Sequence, residues 1–381
     1  MPKLPEMRTG SQLAAYGRPV PFSFWPIAPG TPRPSVQSLL FAIDPWVIMR
    51  HAIITQVASP QSRSESLSYI EQAKDFYTSA QASSIGAAKP LQLYYSYLNI
   101  AKAFIISRGI QPSLATIRHG INETVTAGGA EFQNGYVQFW RSPNRHAELQ
   151  AFDEFMQALD MGRPPNGQQY PITHIVPQII SGHRLWAAAA DATERFIALQ
   201  RIQFIENRRS NTIWLRMHLF ADDVRRLGYT QNNLLVDAQL SAAFRKVRCT
   251  EKVDGRDLIC IEQTNPNIFV RHGVDLATEL VGKIKERLWA TVGSSPPYRR
   301  YYLYLCPAAE RPSMVSQLAS IYAMTFYLGS VTRYRPNTFQ TLLESGYGPR
   351  IAEFVSGQPA QFVYLMASEF SRRDITRPSI V

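Results

Sequence analysis

The stretch LQLYYSYLNIAKAFIISRG, residues 91–109, decides the fold class, because apolar side chains cover nearly every face of the helix that it predicts. It is too short and too often interrupted to supply the roughly 20 apolar residues that cross a bilayer, so a buried core helix is expected. Gly109 marks its end. One narrow sector of the helix is polar and comprises Gln92, Ser96 and Asn99, with Lys102 beside it.

A second helix repeats this design near the other end of the chain. It is MVSQLASIYAMTFYLGSV, residues 314–331, and it is apolar except for one sector that holds Ser313, Gln317 and Ser320. A buried polar group without a partner costs about 1–3 kcal/mol, so buried stripes need partners. We therefore predict that the two stripes face each other in a polar core network, which joins the first and last helical regions into one body.

The charge balance indicates the class of partner. Lys and Arg number 40 against 29 Asp and Glu, which gives the 381 residues a formal charge of +11. An excess of this size favours polyanions, so RNA or DNA is the expected partner. A protein partner or a homo-oligomer is compatible with the same composition, and no membrane association is expected.

Cysteine and histidine usage excludes several classes of site. Three cysteines do not form a disulfide framework, and the seven histidines show no HExxH or similar spacing, so neither a metal nor a cofactor is predicted. The first residues lack the apolar core of a signal peptide, and a cytoplasmic location is expected. Nucleotide-binding loops and the serine-hydrolase elbow are absent from the sequence.

The pattern along the chain predicts an α+β protein that is mostly helical, with two helical regions packed as one body and a small antiparallel sheet between them in sequence. Four segments follow from this: a proline-rich extended arm at 1–36, a helical region at 37–209, an antiparallel sheet region with one helix at 210–306, and a second helical region at 307–381.

Individual elements are predicted from caps, turns and periodicity. Asp44 before Pro45 predicts a helix start. The dipeptides Asn134-Gly135 and Asp254-Gly255 predict tight hairpin turns. Long helices are expected at 182–207 and 275–293.

Four segments of the chain resemble the YaaC-like proteins of bacteria. They are KPLQLYYSYLNIAKAFI, the RHGI at 118–121, SVTRYRPNTFQTLL and FVYLMASEF, and the similarity extends over most of the chain from about residue 65. This family is largely uncharacterised, so the resemblance implies a fold more than an activity. The tyrosine-rich helix followed by a glycine turn and a histidine is also similar to HEPN helical domains, which implies a role in phage defence or stress.

Many HEPN domains are metal-independent RNases that use an arginine four to six residues before a histidine. The segment RSPNRH, Arg141 to His146, matches that spacing but carries Pro143 inside it. In such an enzyme the arginine stabilises the charge on phosphorus and the histidine moves a proton. Arg118 and His119 are the second candidate pair, although they are adjacent and do not fit the spacing. Each pair also has a purely structural interpretation. Arg141 and His146 can belong to a basic helix N-terminus, and His119 can cap the loop before Gly120.

Basic residues beside tyrosines are candidates for binding nucleic acid. YRRYYLYL at 298–305 is expected to form a strand with Tyr301, Leu303 and Leu305 inward and Arg300, Tyr302 and Tyr304 outward. The candidates for phosphate contacts are Arg299, Arg300, Arg333 and Arg335.

The leading hypothesis from the sequence is a binder of nucleic acid or another polyanion without a strong catalytic signature. An RNase and a protein-interaction scaffold are the alternatives.

Overall fold

The structure is a computed structural model that describes residues 3–28, 35–37, 39–86, 88–111, 114, 116–125, 131–143, 148–230 and 233–379. Its helices are α1 (Pro45–Gln56), α2 (Pro60–Ala82), α3 (Lys89–Ser107), α4 (Glu131–Asn134), α5 (Ala151–Ala158), α6 (Ile172–Ile175), α7 (His183–Ala189), α8 (Ala221–Arg226), α9 (Leu234–Asp237), α10 (Ala277–Gly282), α11 (Gln317–Tyr334), α12 (Pro336–Glu344) and α13 (Gly348–Ser371). Short 3-10 turns occur at Val176–Gln178, Gly273–Leu276, Lys285–Arg287 and Ala308–Ser313.

The strands are short, and they form several separate sheets. They are β1 (Ser11–Gln12), β2 (Ala14–Ala15), β3 (Arg18–Pro19), β4 (Leu40–Phe41), β5 (Ile121–Val125), β6 (Gly135–Phe139), β7 (Gln169–Pro171), β8 (Phe196–Ala198), β9 (Arg201–Asn207), β10 (Thr212–Phe220), β11 (Phe244–Val247), β12 (Lys252–Val253), β13 (Arg256–Gln263), β14 (Asn267–Ile268), β15 (Leu288–Val292), β16 (Arg299–Tyr304) and β17 (Ile375–Thr376). The protein is therefore α+β, as the sequence predicts.

The chain divides into two compact units, and each is built from separate stretches of sequence. The helical unit consists of Ala42–Ala192 and Pro312–Ser371. The sheet unit consists of the described residues up to Phe41, Thr193–Arg311, and those from Arg372 onward. The sequence places the boundary before the sheet at residue 210, but the sheet unit already begins at Thr193.

Helix α3 lies at the centre of the helical unit and is buried along most of its length. On one side Tyr97 stacks on Phe362 of α13 with ring centroids 3.9 Å apart. Further along, Phe104 contacts Phe155 of α5 and Phe370 of α13. Each large side chain buried in this way contributes about 1.5–3 kcal/mol to the stability of the folded state. Packing against several neighbours therefore holds the helix in place.

Helix α11 packs directly against the N-terminal half of α3 because a glycine allows the two backbones to approach. A Cβ atom at Gly329 would lie 3.1 Å from Cβ of Tyr94 and 3.2 Å from the carbonyl oxygen of Pro90. Beside this contact Tyr94 packs edge-on against Phe326, with centroids 5.1 Å apart. The small residue therefore sets the distance between the two helices.

The prediction that the two polar stripes face each other is wrong, because the stripe of α3 faces α2. Ser96 Oγ donates to the carbonyl of Ala73 at 2.8 Å. Gln92 Oε1 accepts from the hydroxyl of Ser83 at 2.7 Å, just beyond α2. Lys102 Nζ lies 5.2 Å from the centroid of the Tyr69 ring, which is also on α2.

The polar side chains near α11 use other partners as well. Ser320 donates to the carbonyl of Gln317 within its own helix at 2.9 Å, and Ser313 Oγ lies 3.2 Å from Nδ1 of His174. Asn99 is buried on α3. Because α3 contacts a different neighbour on each side, its polar sector and its α11-facing sector are different surfaces.

The main sheet of the sheet unit has the order β1-β9-β10-β13-β11, with β12 beside β13 and β14 beside β10. Glu262 of β13 is fully buried and is flanked in register by Arg216 of β10 and Arg245 of β11. Both guanidinium groups form ion pairs with it, and Arg8 of the N-terminal arm adds a third. This buried carboxylate therefore fixes the arm on the sheet.

The remaining strands of the sheet unit bring both ends of the chain to it. Strands β15, β16 and β8 form an antiparallel sheet, and β2 pairs with β3. Strand β17 near the C-terminus runs parallel to β4 of the N-terminal region, with Ile375 opposite Leu40. In the arm itself Leu13 and Val20 are buried.

Capping and turn chemistry give the most accurate predictions. Asp44 caps α1, since its Oδ1 accepts from the backbone N–H of Trp46 at 2.9 Å. Strands β12 and β13 form the hairpin predicted at Asp254-Gly255, and both residues have the positive φ that this turn requires. Strands β5 and β6 also pair, but α4 ends at Asn134, so Asn134-Gly135 is not a two-residue turn.

Two predicted long helices are wrong because strands occupy part of each. The first, 182–207, contains only α7 and then β8 and β9, where Ile202 and Phe204 are buried and alternate with half-buried residues. The second, 275–293, contains the short α10 followed by β15. The first residues of β9 follow a period of two, whereas β15 is buried at four of its five positions. Among the described helices, none is both long and apolar enough to cross a membrane.

The close approach at Gly329 gives a prediction for stability. We expect Gly329→Leu to lower the free energy of unfolding by at least about 1–3 kcal/mol, because the new side chain must push α11 away from α3. Urea unfolding followed by circular dichroism measures the change. Gly282→Leu is the matched control, since a Cβ there meets no atom within 4 Å. Equal losses in both variants would contradict the role of the glycine in helix packing.

Candidate functional site

His119 is held in place by the start of α5. The backbone N–H of Phe152 donates to the carbonyl of His119 at 3.1 Å, and that of Ala151 donates to the carbonyl of Arg118 at 2.8 Å. Gly120 has a φ of +74° and approaches Gln150 so closely that a Cβ would lie 2.9 Å from the Cβ of that residue. The RHGI motif therefore needs its glycine for a left-handed turn against α5.

A hydrogen bond from α3 fixes the orientation of the imidazole. Nδ1 of His119 lies 2.5 Å from the hydroxyl of Tyr94. Burial, and then the neighbouring hydroxyls of Tyr322 and Tyr95, raise the pKa of Tyr94 well above its ordinary value, so the phenol stays protonated at neutral pH.

Two cations act on the same imidazole. Burial lowers the pKa of His119 below 6.5, and the charges of Lys102 and Arg333 lower it further. Burial also lowers the pKa of Lys102, against the opposing effect of Glu65. His119 is therefore neutral at neutral pH, and it lies within the field of two positive charges that come from α3 and α11.

The end of α11 presents Arg333 together with aromatic side chains. Nη1 of Arg333 donates to the hydroxyl of Tyr95 at 3.0 Å, and its guanidinium carbon lies 4.9 Å from the centroid of the Tyr334 ring. Arg333 is exposed, and Tyr334 is 63% exposed. We call Lys102, His119 and Arg333, with the flanking Tyr95 and Tyr334, the His119 cluster. Its chemistry is that of hydrogen-bonding groups and positive charges beside one exposed aromatic ring, that of Tyr334.

Arg335, two residues further on, has a different partner. Its Nη1 lies 3.8 Å from Oε1 of Glu123 on β5. This weak ion pair connects the junction of α11 and α12 to the small sheet formed by β5, β6 and β7. Of the two arginines in the RYR segment, the structure therefore brings Arg333 to His119.

The two arginines of the predicted catalytic pairs each have partners of their own among the described residues. Arg118 is exposed and pairs with Glu148 at 3.0 Å. Arg141 donates through Nε to the carbonyl of Pro164 and through Nη2 to that of Arg163, so its guanidinium holds a loop. His146 lies outside the described residues.

Strand β16 departs from the predicted alternation, and Arg299 is not available to a polyanion. The side chain of Arg299 is 3% exposed, lies 3.4 Å from Asp374 and donates to the carbonyl of Ile375. Tyr304, predicted to point outward, is buried and accepts from Nη1 of Arg195 at 3.1 Å. Arg300 remains exposed. The end of the strand is covered on both faces, because Leu303 and Tyr304 are both buried, so alternation does not separate core from surface there.

The sequence carries no signal for Tyr94, because its contact with His119, 25 residues later, has no local sequence pattern. Tyr334, whose ring is exposed, ends an almost completely buried helix, and the RYR segment could have indicated it.

The site and fold define a class: an α+β protein whose helical unit displays an aromatic-flanked basic cluster. The family model described as "YaaC-like Protein" matches residues 36–370. The chain therefore belongs to the YaaC-like family. No curated protein and no solved structure matches it. The resemblance to HEPN domains is not shown by these comparisons and stays a prediction.

The cluster predicts a measurable pKa change. In Arg333→Gln we expect the pKa of His119 to rise toward 6.5, because a positive charge that disfavours the imidazolium is removed. Titration of the imidazole carbon-bound protons by NMR measures it. Arg300→Gln, an exposed arginine of the sheet unit, is the control and should leave this pKa unchanged. An unaltered His119 titration in Arg333→Gln would contradict the electrostatic coupling.

Proposed function

We propose that this protein binds single-stranded nucleic acid, with the His119 cluster as the contact surface. The observation that carries the proposal is that Arg333 donates to Tyr95, next to the Tyr94 that contacts His119, while the charges of Lys102 and Arg333 both act on that imidazole. Glu65 acts on Lys102, but two positive charges beside one neutral imidazole still favour an anion. A phosphate group is the anion that matches these donors.

The chemistry of these groups suits a phosphodiester backbone. Arg333 supplies a guanidinium fork, Lys102 supplies a compact ammonium group, and His119 supplies an imidazole nitrogen. The three groups belong to three different segments of the helical unit. The formal charge of +11 favours the same class of partner at longer range.

The exposed aromatic ring supports a single-stranded partner over a duplex. Tyr334 presents its ring to solvent beside Arg333. Bases stack on such a ring only when they are unpaired, and stacking contributes about 1–3 kcal/mol per base. Binding of this kind tolerates many sequences, because every base has a flat face.

The described residues support binding more than cleavage. An RNase of the arginine–histidine type requires both side chains at one phosphate, whereas Arg141 holds a loop and Arg118 pairs with Glu148. His119 is neutral at neutral pH and is bonded to Tyr94, which suits a fixed polar contact with a ligand.

The first test measures the affinity for a labelled single-stranded oligonucleotide by fluorescence anisotropy over a range of salt concentrations. Arg333→Gln should weaken binding and reduce the slope of log K against log salt by about 0.7, the value for one phosphate contact on a single strand. Tyr334→Leu should weaken binding with little change in that slope, because stacking releases no counterion.

Arg209→Gln is the matched control, since it removes an exposed arginine of the sheet unit. It should change neither the affinity nor the slope beyond the small effect of net charge. Absence of binding by the unaltered protein, or equal losses in Arg209→Gln and Arg333→Gln, would rule out the cluster as the binding surface.

The second test uses pH. Because the pKa of His119 is lowered below 6.5, the imidazole gains its charge only in more acidic solution, and phosphate then binds the imidazolium better. Affinity should therefore increase as the pH falls from about 7.5 to about 5.5. The increase should be much smaller in His119→Gln. An identical pH profile in that variant would contradict a direct contact of His119 with phosphate.

A further inference from the structure

The turn that connects β9 to β10 and the segment that follows β14 lie side by side at one end of the main sheet. Strand β14 pairs with the start of β10, with Ile268 opposite Thr212. The contact continues one residue further, because the backbone N–H of Phe269 donates to the carbonyl of Asn211 at 2.9 Å. Phe269 is buried, so this segment is anchored on the sheet through both its backbone and its aromatic ring.

Two aliphatic side chains of the anchored segment are displayed to solvent. Ile268 is 76% exposed and Val270 is 95% exposed. They stand on either side of the buried Phe269, and side chains two residues apart on an extended segment point to the same face. A single exposed aliphatic residue is ordinary, but two on one face of a fixed backbone indicate a contact surface.

The N-terminal arm adds an aromatic ring to the same region. Tyr16, in the tight turn between β2 and β3, is 71% exposed. It lines an open cavity of about 750 Å³ together with Phe269 and Arg271. The turn of the arm and the segment after β14 therefore lie beside each other.

Exposed arginines surround these apolar side chains. Arg208 and Arg209 belong to the turn before β10, and Arg271 directly follows the exposed valine. Arg18 is exposed on β3, in the same hairpin as Tyr16. We call the four arginines, together with Tyr16, Ile268 and Val270, the β14 surface.

Two carboxylates offset part of this charge. Glu206 is buried and accepts from Nε of Arg208 at 2.9 Å, and Asp275 also lines the cavity. The side chain of Arg208 nevertheless remains 73% exposed. Four arginines against these two carboxylates leave the region with an excess of positive charge.

Exposed aliphatic side chains among cations fit the interface of an anionic bilayer better than they fit nucleic acid. Ile268 and Val270 cannot stack on bases, and a phosphodiester backbone offers them no apolar contact. At a bilayer surface, acyl chains lie directly below negatively charged phosphates. Binding there increases with the apolar area that is buried and with the attraction between basic residues and anionic lipids.

We infer that the β14 surface attaches the protein to an anionic phospholipid bilayer, with Ile268 and Val270 inserted below the headgroups and the arginines at the lipid phosphates. Attachment to one leaflet requires no membrane-spanning helix. The inference revises the expectation of no membrane association, because the sequence does not show that these two aliphatic residues are exposed. It goes beyond the nucleic-acid proposal and does not rest on it, since every residue of the β14 surface lies in the sheet unit.

The test is co-sedimentation of the full-length protein with phospholipid vesicles. Vesicles in which phosphatidylserine makes up about a quarter of the lipid should bind the protein, and vesicles of phosphatidylcholine alone should bind it much more weakly. Binding should weaken as the salt concentration rises, because salt screens the attraction between arginines and lipids.

Val270→Asp should lower the partition coefficient at least about tenfold, since a buried aliphatic contact is lost and a like charge is brought to the lipid. Val236→Asp is the matched control: it makes the same change at an exposed valine of α9, in the same unit, and should leave vesicle binding unaltered. Arg271→Gln should lower partition about fivefold on anionic vesicles alone. Arg300→Gln, at an exposed arginine of β16, is its control.

A second measurement separates insertion from attraction by charge alone. Lipids with brominated acyl chains quench tryptophan fluorescence only at close range. They should quench Val270→Trp more than they quench the unaltered protein, whereas Val236→Trp should show no added quenching. Circular dichroism of each variant checks that the folded state persists.

The inference is overturned if the unaltered protein does not bind vesicles that contain phosphatidylserine. It is also overturned if Val236→Asp weakens binding as much as Val270→Asp does, or if Val270→Trp shows no added quenching. A loss of oligonucleotide affinity in Val270→Asp with vesicle binding unchanged would assign the surface to nucleic acid instead. Because vesicle binding and the His119 cluster are tested separately, failure here leaves the nucleic-acid proposal standing, and the converse holds.

Discussion

The enclosure of α3 is the constraint on which the helical unit depends. A helix that is apolar nearly all round must have a packed neighbour on every side, and α2, α5, α11 and α13 supply them. Its few polar groups need partners too, and Ser96 finds one in the carbonyl of Ala73. The segments 42–192 and 312–371 are thereby joined around one central helix.

The His119 cluster is a consequence of this enclosure. Tyr94 and Tyr95 lie next to each other on α3, so one can orient His119 while the other accepts from Arg333. The packing that buries α11 also brings its last turn beside α3, where Arg333 and Tyr334 become exposed. The surface chemistry of the unit is therefore set by the same helix contacts that form its core.

Local chemistry made parts of this fold predictable. The cap at Asp44, the turn at Asp254-Gly255 and the central helix follow from rules that act over a few residues. The helix predicted at 182–207 is wrong because the apolar residues of a strand in this segment also fit one face of a helix. The pattern could show that α3 was buried, but it could not show which neighbour would cover its polar sector.

The His119 cluster could likewise be predicted only in part, because local sequence does not show which distant segments meet. Arg333 and His119 were each candidates from the sequence, and Lys102 was predicted to belong to the polar stripe of the central helix. Their common location, and the hydrogen bond from Tyr94, depend on contacts between segments far apart in sequence. Arg299 illustrates the opposite case, because a basic residue in a tyrosine-rich strand is buried against Asp374.

The interleaving of the two units has a consequence for synthesis of the protein. The chain passes between the units near residues 41, 192, 311 and 371, and β17, which pairs with β4, lies beyond the last of these points. A nascent chain on the ribosome therefore exposes the unpaired edge of β4 and the surface of α3 that α11 and α13 cover until those later segments have been made. The early segments must stay unaggregated while they wait for these partners.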